Sequence, residues 1–379
     1  VRPDPASDAA PTVDVALMMP DFGGGGAERM MTRLARALAE GGRRVDLVVV
    51  SADGPFRDDA GPDVRVVSLD RGGVLASLPA IVAYLRERRP PVVLVTLDHM
   101  TVVVSWARAI AGVPLRLVVR QANNPTAYGD TSWRSRLVLR GLRGRLRRAD
   151  AVVTGSQGVA DDLVAWARVP SERVHVVGNP VVDATLARLA EEPVDHPFFV
   201  EPGPPTLLAA GRLTPQKDFG TLLRAFAIAR GRRPLRLVLL GDGPQRGDLE
   251  AFVRSHDLTE DVSLPGFAAN PFSFMRRADA FVLSSAWEGL PAVLIQAMAC
   301  GCPVVATDCP SGPREILEGG RHGPLVPVGD AAALAAAILA TLERPTPKEA
   351  LRARASAYGV ERSVRRTAAV LWPAAEAHP

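Results

Sequence analysis

The residues best placed to do chemistry in this 379-residue chain stand at two turns about 70 positions apart. Glu288 lies in Trp287-Glu-Gly-Leu-Pro291, between an apolar run, Ala280 to Leu283, and a helix expected to stop at Gly301; Gln296 follows it on that helix. Arg212 and Lys217 lie in Gly211-Arg-Leu-Thr-Pro-Gln-Lys217, between the run Thr206 to Ala210 and a helix expected over Thr221 to Ala229. Two cations at a strand-to-helix turn can hold a diphosphate, arginine as a planar fork and lysine as a point charge. A carboxylate at a helix start can accept from sugar hydroxyls, and the N–H groups of Gly289 and Leu290 can face an anion. Singly, each has a plain reading: a solvated loop pair, and an acid that only complements a helix dipole. Together they fit a sugar nucleotide.

The elements around these turns read as two βαβ series. The first opens with a strand (Val15 to Met19), a glycine loop, a helix (Ala27 to Glu40) and a second strand (Val45 to Val50). It continues through Val64 to Leu69, Val92 to Leu97, Leu115 to Arg120, Ala151 to Thr154 and Val174 to Val177. Short apolar runs without alternation suit strands buried on both faces of a parallel sheet. In the loop, Gly24, Gly25 and Gly26 either bring a phosphate close to unpaired N–H groups or form a turn without a ligand; the spacing departs from the dinucleotide fingerprint. The second series runs through Leu235 to Leu240, Asp261 to Leu264, Pro303 to Thr307 and Leu325 to Val328, and Gly241 ends one of its strands, for a ligand or for packing.

The expected organisation is a disordered lead-in (1–12), a first Rossmann-like domain (13–183), a proline-rich linker (184–205), a second domain (206–347) and a helical segment (348–379) crossing back to the first. Two doubly wound α/β domains would then face one interdomain cleft, where ligands of such sheets sit. A net charge of +4 with interspersed signs argues against nucleic acid. Cys300, Cys302 and Cys309 fit neither a zinc site nor a disulfide framework and read as reduced packing residues, which with the lack of a signal pattern or an apolar span points to the cytoplasm.

Glu288 followed by seven residues and Gln296, the Gly211-Arg-Leu motif ending in Lys217, Leu264-Pro-Gly-Phe267, Ala299-Cys-Gly-Cys-Pro-Val-Val305 and Asp308-Cys-Pro-Ser-Gly-Pro-Arg-Glu-Ile-Leu317 together resemble the retaining glycosyltransferases of the GT-B fold, specifically glycosyltransferase family 4. The resemblance covers Val13 to about Leu342 in order. It implies that Arg212 and Lys217 bind the donor diphosphate, that Glu288 contacts the donor sugar, and that Gly289 and Leu290 offer backbone donors. The family's second Glu, a ribose ligand, falls on Gln296, which keeps a carbonyl acceptor without the charge and costs on the order of 1 kcal/mol. In the first domain the resemblance sets the glycine loop near donor phosphates and acceptor, and His99, after Asp98, near the anomeric carbon.

The resulting expectation is a retaining transferase that moves a hexose-type residue from a nucleoside-diphosphate sugar, needing no other cofactor, to a lipid-linked or soluble glycan acceptor in envelope or exopolysaccharide assembly. No Asp-x-Asp pair is present to hold a metal on a diphosphate, so metal-independent activity is expected. Arg120-Gln-Ala-Asn-Asn-Pro125, with Asn123, ends a strand on the cleft side and lines an acceptor site or is plain loop. Arg136, Arg140, Arg143 and Arg147 form a helical basic stripe, which either meets an anionic membrane at its inner face or is a solvated arginine face. Rival readings are a small-metabolite glycosyltransferase, a non-catalytic sugar-nucleotide or partner-binding protein, a GT-B epimerase and a nicotinamide enzyme. The last is invited by the glycine loop alone.

Overall fold

The computed structural model describes residues 13–23, 25–128 and 133–373, with the backbone alone at 127–128 and 133–138; the expected lead-in lies outside these residues. Seven parallel strands, β1 (Val15–Met19), β2 (Val45–Val49), β3 (Arg65–Ser68), β4 (Val92–Thr96), β5 (Arg116–Gln121), β6 (Ala151–Thr154) and β7 (Val174–Val176), form one sheet in the order 3-2-1-4-5-6-7. A second parallel sheet holds β8 (Thr206–Ala210), β9 (Arg236–Leu240), β10 (Val262–Gly266), β11 (Ala280–Leu283), β12 (Val304–Thr307) and β13 (Leu325–Val326) in the order 10-9-8-11-12-13. The fold is GT-B: two doubly wound α/β sheets.

The apolar runs explain these sheets directly. Alternate residues of β1 point to opposite faces and both faces are core: Ala16 and Met18 join one buried cluster, Val15, Leu17 and Met19 the other. In β8, Leu208 and Ala210 face one cluster and Leu207 and Ala209 the other. A central strand covered by helices on both sides cannot show a polar alternation, since each buried leucine or valine contributes about 1.5–3 kcal/mol that a polar residue would forfeit. β3, at the edge, is only half-buried and carries an exposed Arg65.

Residues 184–205 fold as two short helices. Ala184–Glu191 is capped by the Asp183 side chain, which accepts from the Leu186 N–H at 2.8 Å, and Pro197–Val200 is capped by the His196 ring. Leu186 and Ala190 are buried with Phe272, Met275 and Phe281 of the second sheet's covering. At the carboxyl end, the helix Lys348–Ala355 packs on the helix Ala292–Ala299, the chain turns at Gly359, and the helix Val360–Leu371 returns to the first domain. There Val370 and Leu371 enter the cluster under β1 and β2, and Arg43 stacks over Trp372 with 4.5 Å to the ring centre. The two crossings of the chain are tied to each other: Val181 and Val182 donate to the Tyr358 carbonyl, both at 3.1 Å, and Val360 donates to Val182 at 3.0 Å.

Cys300, Cys302 and Cys309 are buried free thiols, and burial pushes Cys300 and Cys309 up to about 12. They are packing groups, too weakly acidic to act as nucleophiles.

Leu371→Ala removes a side chain 1% exposed from the docked terminal helix and is expected to cost about 2–4 kcal/mol. Urea unfolding followed by circular dichroism reads this. A loss below about 1 kcal/mol would mean that the helix contributes little to the first domain.

Candidate functional site

Each strand order reverses once, between β1 and β4 and between β8 and β11. Loops leaving neighbouring strands in opposite directions open a crevice at their carboxyl ends. The glycine loop and Asp98-His99 follow β1 and β4, while Gly211–Lys217 and Ser284–Pro291 follow β8 and β11. Gly25, Gly26, His99, Gly211, Arg212, Lys217, Glu288, Gly289 and Leu290 therefore sit at the two reversals by topology alone.

The second-domain loops are joined by charge and backbone. Lys217 Nζ pairs with the Glu288 carboxylate, their side chains 16% and 6% exposed. Ser285 Oγ donates to the same Glu288 oxygen at 2.7 Å. Ser284 Oγ donates to the Lys217 carbonyl at 2.7 Å, Gln216 Nε2 to the Trp287 carbonyl at 3.1 Å, and the Ala286 N–H to the Gln216 carbonyl at 2.8 Å. Removing either partner of such a pair would leave the other nearly buried and unpaired. Arg212, in contrast, is exposed and reaches toward the glycine loop of the first domain. Gly241 has φ 133°, and a side chain there would overlap the Gly211 carbonyl, so its visible role is to let two strand-end loops lie together.

The turn after Glu288 lies on the domain seam. A Cβ at Gly289 would overlap the Ala122 carbonyl and come within 3.0 Å of Asn123 Cα, so the residue is a glycine because two backbones meet there. From the first domain Ser156 Oγ donates to the Gly289 carbonyl at 2.8 Å and Asn179 Nδ2 to the Leu290 carbonyl at 3.0 Å. A trans peptide sets its C=O and N–H in opposite directions, so the bond from Ser156 turns the Leu290 N–H away from the first domain's wall. Among the described residues neither the Gly289 nor the Leu290 N–H has a hydrogen-bond partner. Pro291 is the cap of the following helix, with φ −66°, and Gln296 is 7% exposed on it, with no side-chain hydrogen bond among the described residues.

In the first domain, Gly24 lies outside the described residues; Gly25 is the extended cap of the helix Gly26–Glu40, and Gly26 is exposed. Glu28, in its first turn, is held above its ordinary value by burial, against the pull of its own N–H, Arg212 and Arg120. His99 is exposed in the first turn of the helix Asp98–Ala111, and its ring makes no hydrogen bond among the described residues. Beside it burial raises Asp98, which accepts from Gln121 Nε2 at 3.1 Å. Leu97, just before, takes φ 70° and ψ 138°, a costly backbone for a leucine and the kind of strain that gathers at working sites. The Asn123 carbonyl accepts from Gln121 Nε2 at 3.1 Å.

Residues 204–344 match the model of the glycosyl transferases group 1 family, and residues 25–180 that of the glycosyl transferase 4-like domain. The chain is 31% identical, over 65% of its length and 67% of the relative's, to the N-acetylgalactosamine-N,N'-diacetylbacillosaminyl-diphospho-undecaprenol 4-alpha-N-acetylgalactosaminyltransferase of Campylobacter jejuni. The chain belongs to the group 1 glycosyl transferases. It is also 29% identical to the lipopolysaccharide core biosynthesis glycosyltransferase LpsE of Rhizobium meliloti, over 89% of this chain and 90% of that one. Among solved structures, Anabaena HepE in complex with UDP and glucose superposes with a TM-score of 0.79 at 21% identity, over 95% of this chain and 99% of HepE. That likeness speaks to the fold.

Of this glycosyltransferase's basic stripe, Arg140 and Arg147 are exposed, while Arg143 is half-buried with its Nε enclosed, and Arg136 has no described side chain. Among the described residues no helix is long and apolar enough to cross a membrane, and no three His, Cys, Asp or Glu side chains gather as a metal site. The structure also brings to the cleft or its seam Glu28, which ends the glycine-loop motif, Arg120, which opens the segment Arg120–Pro125, and two residues that the motifs pass over, Ser156 and Asn179. Arg120 ends an apolar strand, and a buried guanidinium there needs a reason.

Gly289→Ala is expected to lower turnover about tenfold or more, because the added methyl displaces the turn by an amount that catalytic geometry does not tolerate. Steady-state assay beside a circular dichroism spectrum of the same sample checks it, and a fully active, folded variant would show that the seam leaves the site unaffected.

Proposed function

We propose that this glycosyltransferase retains the anomeric configuration while moving a hexose-type sugar from a nucleoside diphosphate to a hydroxyl of a lipid-linked or soluble glycan. The observation that carries it is the joining of the Arg212–Lys217 loop to the Glu288 loop at one strand-order reversal, with the unpartnered N–H groups of Gly289 and Leu290 beside them. In this reading Arg212 and Lys217 hold the diphosphate as it leaves, where the largest charge develops. Lys217 also holds the Glu288 carboxylate in place to accept from the sugar hydroxyls, and Gln296 takes the ribose. No metal or other cofactor is assigned a part. HepE, crystallised with UDP and glucose, lends support to a sugar-nucleotide donor.

The acceptor is read from the relatives' names, which speak of a diphospho-undecaprenol-linked sugar and of lipopolysaccharide core. Work at the inner face of the cytoplasmic membrane follows, and the exposed Arg140 and Arg147 suit contact with anionic lipid there. His99 stands at the first reversal, on the acceptor side, and a direct part in transfer is proposed for it. The small-metabolite alternative keeps the same donor site and differs only in acceptor.

Calorimetry with UDP, GDP, ADP and dTDP is expected to show one nucleotide bound by the wild type. Arg212→Ala should weaken it about tenfold or more, the worth of one charge-assisted hydrogen bond, and Gln296→Glu should strengthen it a fewfold. Binding of none of the four would remove the donor reading. Turnover in chelator should equal turnover in magnesium or manganese; activity that vanishes with chelator and returns with the ion would assign the diphosphate charge to a metal instead.

A further inference from the structure

The assignment of Arg212 to the donor diphosphate leaves one neighbouring charge unaccounted for. Glu28 of the first domain faces Arg212 of the second across the glycine loop. A side chain at Gly25 would collide with the Glu28 carboxylate and at the same time meet Arg212 Nη2 at 3.1 Å. Both groups thus sit against one small space, and Arg212 opposes the burial that raises Glu28. The Glu28 side chain makes no hydrogen bond to another residue's side chain among the described residues. A diphosphate brought to Arg212 would have this carboxylate as a like-charged neighbour, an arrangement that costs affinity unless the carboxylate has another cation.

Arg120 is a second cation whose charge acts on Glu28. Arg120, at the end of β5, is 7% exposed, and burial lowers its guanidinium to about 10, with Glu28 as the charge that opposes the shift. Its Nη2 donates to Asn179 Oδ1 at 2.8 Å, but its Nη1 is buried with no partner among the described residues. A buried, unpaired guanidinium nitrogen is expensive and is kept where it serves an occupied state.

We propose that Glu28 is a place-holder for the donor. In the empty cleft it neutralises Arg212; when the diphosphate arrives it releases Arg212 and is retained by the free Nη1 of Arg120. Glu28 and Arg120 then set donor affinity without touching the donor, and the exchange couples the occupied second domain to the strand end from which Gln121 and Asn123 continue. Asn179 serves both sides, since its Oδ1 orients Arg120 and its Nδ2 holds the Leu290 carbonyl. The inference rests on the proposed role of Arg212.

Titration of UDP, GDP, ADP and dTDP by calorimetry into the wild type, Glu28→Gln, Arg120→Gln, the double variant and Arg212→Ala tests it. For the nucleotide that the wild type selects, Glu28→Gln is expected to bind about three- to tenfold more tightly, because the competing charge is gone. Arg120→Gln should bind more weakly, because Glu28 has lost its second partner, and the double variant should return to the affinity of Glu28→Gln. A purely structural Arg120 would not be rescued in this way. Unchanged or weaker binding in Glu28→Gln, with binding lost in Arg212→Ala, overturns the place-holder and leaves the donor site standing. Unchanged binding in Arg212→Ala overturns the donor-site assignment and the place-holder with it. Should Arg120→Gln fail to fold, the Glu28→Gln arm alone decides.

Discussion

Backbone meets backbone at the seam, and the rest of the site depends on it. Gly289 lies so close to the Ala122 carbonyl that no side chain fits between them, and hydroxyl and amide groups of Ser156 and Asn179 reach across to the carbonyls of Gly289 and Leu290. Peptide planarity then does the orienting: a carbonyl fixed from the first domain fixes the N–H of the same peptide on the opposite side. The direction in which the second domain presents the Leu290 N–H is therefore set by residues of the first domain. Neither domain alone makes this arrangement, which is a physical reason for the two to be held in one chain whose crossings are hydrogen-bonded to each other.

Electrostatics divides the cleft in a second way. On the second-domain side Lys217 and Glu288 are nearly buried and paired, with the hydroxyl of Ser285 completing the carboxylate's shell. This pair is pre-organised: its desolvation cost was met on folding. Arg212 is different: it is exposed, and its charge acts on Glu28 across the gap. One cation is thus fixed and one is available, and the available one is shared between domains.

Much of the fold was legible because its signals are local and repeated. All thirteen strands coincide with apolar runs read from the chain, and a core on both sides of each sheet explains why those runs lack alternation. The loops after β8 and β11 were legible because Arg, Lys and Glu at strand-to-helix turns are dense in meaning. What escaped were residues whose partners are remote in sequence. Asn179 bonds Arg120 and the Leu290 carbonyl, Ser156 bonds the Gly289 carbonyl, and nothing in the local pattern tells an Asn-Pro turn or a helix-capping serine that its partner lies more than a hundred residues away. The span 184–205 looked like a linker because proline and acid dominate it, yet Leu186 and Ala190 supply enough apolar surface to dock it on the second sheet's covering. Gly241, equally suited by sequence to a ligand or to packing, is a packing glycine in its visible contacts.

The distribution of contacts across the cleft also says how the domains can move. Near the crossings three bonds involve backbone, Ser156 to Gly289, Asn179 to Leu290 and the Gln157 N–H to Glu315 at 2.8 Å, and a fourth joins the side chains of Asn124 and Ser311 at 3.3 Å. At the glycine loop the facing groups are the side chains of Glu28 and Arg212, whose interaction is through space and weakened by solvent. Rotation that opens the cleft would cost least where it spares the hydrogen bonds near Asn179 and Gly359 and parts the two sides at the glycine loop. The glycine-loop side carries the exposed charge of Arg212, whereas the seam carries the Gly289 carbonyl that orients the Leu290 N–H. Opening for substrate therefore leaves the oriented part of the site intact.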